Sequence, residues 1–379
     1  MPETLGRAPY KHGRNAHTLV HVCLLLACVR RSGRVFVCFP RWFANGTQPS
    51  LQESPISVAE LVEGKVIAYP NAEMNSWRAG EPASSGFVNV QSVFVDHLDR
   101  LWILEPGAAY LGNITPGAPR LYHVDLATNK VIRTYTFDLT AAPSHSYLND
   151  VRISTDGRTA FLTDSNVGGL RVLDLDSGTV RNVLMEHPSA HAVAGVVIDV
   201  EGHDQYLADA LVPPGVPKPF PVTFQSDGIA VLNGHVYYHA VTARTLWRLP
   251  ETALVDARLS AADLEAQVEK VCDSGFHDGM VAAADAHLNG TLLLTALNKD
   301  GIDMVLQDGR VVPLLSDERL QWPDSMAVPV LDAGSKPHVY VTASRVNTLP
   351  FIREAPARKQ PFALYRAQLE HEADSTCSP

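Results

Sequence analysis

The sequence predicts an all-β chain: a six-bladed β-propeller with four-stranded antiparallel blades and one short inserted helix. Three observations predict it. Short β-rich runs, each entered by a turn, recur along the whole length. All but the first are preceded by a second apolar run that opens on a polar residue. Helical capping is clear at one place only.

The turn-entered runs are Gly33–Val37, Asp99–Ile103, Gly157–Phe161, Gly234–Tyr238, Gly290–Leu294 and Pro337–Val341. Their anchors at 34, 100, 158, 235, 291 and 338 lie 66, 58, 77, 56 and 47 residues apart, a mean of about 61. Six such units nearly fill 379 residues. Third and fourth strands are clearest in Gly169–Asp174 and beyond the turn Asp176-Ser177-Gly178. Four short strands per unit, with turn residues at each junction, form a propeller blade. The one helix runs over Leu259–Val268, with Ser260 as N-cap and Asp263 three residues later. It reads as an insertion at the rim between blades four and five. Pro213–Pro221 reads as a long loop on the face that substrates approach.

The expected domain spans 18–368, between a tail at 1–17 and a tail at 369–379. Leu19–Val29 is about eleven apolar residues interrupted by His21, too short to span a membrane. It reads as a buried strand, with a signal segment over 1–28 as the alternative. The compartment follows that choice: cytoplasmic, or secreted. Phe362–Arg366 is a candidate for the strand that closes the ring.

Net charge is −10, with 31 Lys and Arg against 41 Asp and Glu, which argues against a nucleic-acid groove. Charged residues are 19% and hydrophobic residues 46%, the balance of a globular chain rather than a disordered one. Cys23, Cys28, Cys38, Cys272 and Cys377 form neither a disulfide framework nor a zinc pattern. Sequons stand at Asn45, Asn113 and Asn289. A monomer acting on a small molecule is expected.

The innermost strand of each blade lines the channel, so polar openings in register converge on one mouth. They are Gln91, Asn149, Asp227, Asp278 and Asp324, with Asp150, His277 and Trp322 beside them. Taken singly, the Asp-Gly and Pro-Asp pairs are ordinary turn chemistry. Taken together they favour a site, because three converging carboxylates repel one another unless a cation, a shared proton or a basic substrate offsets the charge. His277 reads equally as a general base beside Asp278 or as a rim histidine with no role.

Several runs resemble the major royal jelly and yellow protein family. They are Asp99–Leu104, Tyr147–Val151, Ser226–Ala230, Trp322–Ser325 and the tail Val341–Asn347. The likeness runs from about Arg31 to Tyr365, and it is more distantly similar to the gluconolactonase and senescence-marker group of calcium-dependent lactonases. That distant likeness implies Asp278 as metal ligand and base, Asn149 as substrate contact and Asp227 in place of an Asn ligand. The Glu ligand it implies would fall on Leu24-Leu25-Leu26, where no carboxylate stands.

Two chemistries follow. A divalent cation, Ca²⁺ first, held by Asp227 and Asp278 would polarise a lactone carbonyl, with Asp278 or His277 activating water. Without a metal, the carboxylates would shuttle a proton in an isomerisation. In either case Gln91, Asn149, Asp150, Asp324 and Trp322 would contact substrate. No Gly-x-Ser-x-Gly, Walker or His-Glu-x-x-His motif supports another enzyme class. A non-catalytic ligand binder at the same mouth and a partner-binding scaffold are the alternatives to an enzyme.

Overall fold

A computed structural model of the chain describes residues 10–17, 25–28, 33–42, 56–109, 113–283, 290–329, 338–349, 351–353 and 363–371. Cys23, Leu24, Cys377 and the sequons at Asn45 and Asn289 lie outside the described residues.

The first strand, β1 (Tyr10–His17), belongs to the last blade. Blade one is β2 (Leu25–Cys28), β3 (Val35–Cys38), β4 (Val58–Val62) and β5 (Lys65–Ala68). Blade two is β6 (Ser92–Val95), β7 (Leu101–Glu105), β8 (Arg120–Asp125) and β9 (Lys130–Thr136). Blade three is β10 (Leu148–Ile153), β11 (Thr159–Asp164), β12 (Leu170–Asp174) and β13 (Val180–Val183). A small hairpin follows, β14 (Asp199–Val200) with β15 (His203–Asp204). Blade four is β16 (Ser226–Leu232), β17 (His235–Ala240), β18 (Thr245–Pro250) and β19 (Glu269–Asp273). Blade five is β20 (Met280–Ala283), β21 (Thr291–Ala296), β22 (Gly301–Val305) and β23 (Val311–Ser316). Blade six is β24 (Pro323–Ala327), β25 (His338–Ala343), β26 (Ala363–His371) and then β1.

Each blade is an antiparallel sheet read outward from the axis. Strands β2, β6, β10, β16, β20 and β24 touch in a closed ring around that axis. The second strands are the most deeply buried. Leu101–Glu105, Thr159–Asp164 and Thr291–Ala296 are buried at every position, because neighbouring blades cover both faces. The outermost β5 and β9 are exposed at alternate or most positions. Hydrophobic clusters therefore sit between blades. Phe36 and Val58 meet Val93 and Ile103, while Trp102 and Leu104 meet Val151 and Leu162. Phe161 and Leu170 meet Ile229 and Tyr238 in the same way.

Two expectations change at the ends of the chain. Residues 10–17, read as part of a tail, form β1, which pairs with β26 from Tyr10↔His371 to His17↔Leu364. Ring closure thus comes from the N-terminal strand. Of the candidate segment Phe362–Arg366, Phe362 lies outside the described residues and 363–366 fall in β26, which hydrogen-bonds β25 as an ordinary third strand and runs past residue 368 to His371. Two helices lie between β18 and β19, not one. Ser260 caps the expected one, α2 (Ala261–Glu265), and α1 (Glu251–Val255) precedes it. Among the described residues no helix is long and apolar enough to cross a membrane.

Starting the chain at residue 18 removes all eight pairs between β1 and β26. At about 1 kcal/mol net per ladder hydrogen bond, the loss is on the order of 5 kcal/mol. Thermal unfolding should show a large fall in midpoint, and light scattering should show association through the bared β26 edge.

Candidate functional site

The polar openings lie where the inner strands begin, and the backbone there is irregular. The ladder slips between Leu148 and Val151, between Ser226 and Ile229, and between Pro323 and Met326. Each slip is a bulge that turns its polar residues toward the axis. A threonine of the second strand supports three of these openings. Thr163 Oγ1 accepts from the Asp150 N–H at 3.1 Å, and Thr342 Oγ1 from the Ser325 N–H at 3.0 Å. Thr295 Oγ1 accepts from Asp278 and Gly279 at 3.0 and 3.1 Å. In blade four His239 stands in the threonine's place, and a Cβ on Gly228 would come 2.5 Å from its Nε2. A Cβ on Gly279 would lie 2.1 Å from the Asp324 carbonyl, so only glycine lets blades five and six approach at the axis.

Above these openings is a cavity of about 470 Å³. Its floor carries Gln91, Asn149, Asp227, Asp278 and Asp324, and Trp322 forms part of its wall. Leu207, Leu211, Val222, Phe224 and Phe351 supply an apolar cover. That cover is the long excursion between β13 and β16, which includes Pro213–Pro221. It is tied to the 351–353 segment by Ala208 N–H to Phe351 O at 2.8 Å and Arg353 N–H to Tyr206 O at 2.7 Å.

Asp227 and Asp278 are hydrogen-bond partners. Burial, and then the charge of Asp278, raise Asp227 well above the usual carboxylate range, so Asp227 is the protonated partner and donates to Asp278. Asn149 Nδ2 donates to Asp227 Oδ2 at 2.8 Å and to Ser165 Oγ at 3.1 Å. Asp278 is pushed up to about 6 by burial, opposed by the hydrogen bonds from Trp322 and Asp227. The Trp322 bond runs from Nε1 to Oδ2 at 2.6 Å. Asp324 is also raised, by burial and then by the charge of Asp278, while Ser325 Oγ donates to its Oδ1 at 2.9 Å. The pair is therefore one acid and one base in direct contact.

Two expected site residues lie away from the cavity. Both ring nitrogens of His277 face backbone carbonyls, Nδ1 to Thr295 at 2.5 Å and Nε2 to Ser274, and burial lowers its pKa to about 4. It faces those carbonyls rather than the cavity, so it takes no proton there. Asp150 accepts from Arg152 at 2.6 Å and from Ser92 Oγ at 2.8 Å. Arg152 in turn donates to the Met280 carbonyl at 2.9 Å, so this pair ties blades two, three and five together.

The divalent-cation expectation does not fit this donor set. Asp227 spends one oxygen on the Asn149 amide and hydrogen-bonds Asp278, and Trp322 takes an oxygen of Asp278. Among the described residues no group of three or more His, Cys, Asp or Glu is arranged to hold a metal.

Sequence reasoning did not single out Tyr147, Trp42 or Asn89. Tyr147 lines the cavity, and its hydroxyl meets Trp42, Asn89 and Gln91. Tyr147 does sit two residues before Asn149, on the same side of the chain, which was a usable signal.

The sequence pattern of the family described as "Major royal jelly protein" matches residues 88–376. Protein yellow of Drosophila subobscura is 28% identical over 145 residues, 36% of this chain and 24% of that protein. The dopaminechrome tautomerase of Drosophila melanogaster is 27% identical over 152 residues, 38% of this chain and 32% of that protein. The chain thus matches between a quarter and a third of the length of these relatives. Among solved structures, a gluconolactonase from Xanthomonas campestris superposes with a TM-score of 0.50 at 10% identity, covering 94% of this chain and 88% of its own. That likeness is one of fold.

Two outcomes test this geometry. Thr295→Val leaves the Asp278 and Gly279 amides without their acceptor and should cost about 1–3 kcal/mol in chemical denaturation. Asp278→Asn tests the buried charge. A carboxyl raised in the fold stabilises fully below its unfolded pKa near 3.8, and that contribution is lost as pH rises through the folded value of about 6. The variant should therefore be more stable than the parent by roughly 2 kcal/mol at about pH 8, and equal to it at about pH 4.

Proposed function

The chain belongs to the major royal jelly protein family, and from that premise we propose that it is a small-molecule enzyme moving a proton within a small cyclic substrate. The reaction is an isomerisation or tautomerisation. One arrangement carries this reading: Asp227 and Asp278 meet on the floor of a cavity with an apolar upper lining, and burial raises both carboxyls. The relative named as a tautomerase supports the same reaction class.

Asp278, with its pKa near 6, is ionised at neutral pH and takes a proton from the substrate ring. Asp227 holds a proton to return at a second position, and its raised pKa keeps that proton in place until then. The ring keeps all its atoms, a double bond moves, and no nucleophile is needed. Trp322 fixes the base by its indole N–H, and Asn149 fixes the acid. The apolar side chains of Leu207, Phe224 and Phe351 line the cavity and suit the face of a flat ring. Hydrolysis of a lactone would use the same base on a water molecule. The ligand-binding alternative would use the same cover without the proton transfer.

The test is an NMR screen of ring ketones, aminochromes and lactones in D₂O. An isomerised product carrying deuterium at the new C–H position is expected. Asp278→Asn should lower kcat by about 10²–10⁴ while ligand affinity persists. Activity should rise with pH through about 6 as Asp278 ionises, and fall again where Asp227 loses its proton. A hydrolysed product, turnover that requires added Ca²⁺ after EDTA, or binding without turnover across the panel would overturn the proposal.

A further inference from the structure

One wall of the cavity carries a run of hydrogen bonds whose polarity is set at its backbone end. The Arg41 backbone N–H donates to Asn89 Oδ1 at 2.6 Å. A backbone N–H can only donate, so Asn89 has to present its oxygen there and its Nδ2 elsewhere. That Nδ2 donates to the Ala108 carbonyl at 3.1 Å and to the Tyr147 hydroxyl at 3.2 Å. Trp42 Nε1, a donor only, gives its hydrogen to the same hydroxyl at 2.7 Å. Two N–H groups thus occupy the lone pairs of Tyr147, and its own proton goes to Gln91 Oε1, 2.8 Å away.

The end of the run is Gln91. With its oxygen committed to Tyr147, its Nε2 is turned away from that residue. Gln91 lines the cavity, and its Nε2 has no protein partner among the described residues. An amide free to rotate would offer either an acceptor or a donor at this spot. Here the order Arg41, Asn89, Tyr147, Gln91 leaves only the donor.

We propose that Tyr147 is a positioning residue that locks the Gln91 amide with its N–H groups toward the cavity, so that this wall selects ligands by a ring carbonyl oxygen. The inference rests on the proposed function and narrows it to small cyclic carbonyl compounds. A carbonyl held by an N–H donor is polarised, which acidifies the adjacent C–H for a base such as Asp278.

Two flat probes of similar size test it: isatin, which has two ring carbonyls, and indoline, which has none. Binding is read by quenching of tryptophan fluorescence and by calorimetry, with unfolding midpoints recorded for every variant. The wild-type protein should bind isatin about tenfold more tightly than indoline, the value of one good hydrogen bond. Gln91→Glu keeps an acceptor for Tyr147 but removes the donor, and should abolish the preference for isatin. Tyr147→Phe frees the amide to rotate and should lower the preference about three- to tenfold. Loss of affinity for both probes alike in Tyr147→Phe would indicate a purely structural role and overturn the proposal. An unchanged preference in either variant would do the same. If wild type binds both rings equally, the carbonyl inference fails and the proton-transfer reading stands. If it binds neither ring, both fail.

Discussion

The fold and the site depend on how closely six strands can approach one axis. Where blades five and six meet, the Asp324 carbonyl occupies the space a Cβ on residue 279 would need. In blade four the ring of His239 does the same to residue 228. In blades three, four and six the inner strand bulges, and the backbone amides at the strand openings need acceptors. Thr163, Thr295 and Thr342 provide them from the second strand of each blade. Geometry at the axis, rather than any catalytic demand, first explains why polar side chains open these strands.

Once three carboxyls have been brought together by that geometry, with Asp227 and Asp324 largely buried, their charges cannot all persist. The chain resolves this by hydrogen-bonding Asp227 to Asp278 and by aiming N–H groups from Asn149 and Trp322 at the pair. The same arrangement costs stability at neutral pH, where Asp278 is held ionised in a buried place. A destabilised group retained at a covered cavity is what a reactive site looks like.

The periodic apolar runs made the blades legible, because each second strand is buried on both faces and each turn needs Gly or Asp. The polar ring was legible for the same reason: Gln91, Asn149, Asp227, Asp278 and Asp324 repeat in register, and all five line the cavity. Asp150 and His277 adjoin ring residues in sequence, but Asp150 turns to Arg152 and Ser92 and His277 to two backbone carbonyls, contacts that adjacency in sequence does not reveal. The supporting threonines were hidden in runs that read only as β-formers, and their role needs the cross-strand register. Tyr10–His17 was illegible altogether. Its residues alternate no apolar face, and its partner lies at the other end of the chain.

That pairing also orders events during synthesis. β1 leaves the ribosome before blades one to five, and it waits without its partner until β26 follows it. Blades one to five each consist of consecutive strands and can form as they emerge. Blade six cannot, so the ring closes only after the last strand is released. Until then β1 is a solvated polar segment, and its sequence, Tyr-Lys-His-Gly-Arg-Asn-Ala-His, is one that water tolerates. A more apolar strand at this position would have strengthened the finished blade and endangered the nascent chain.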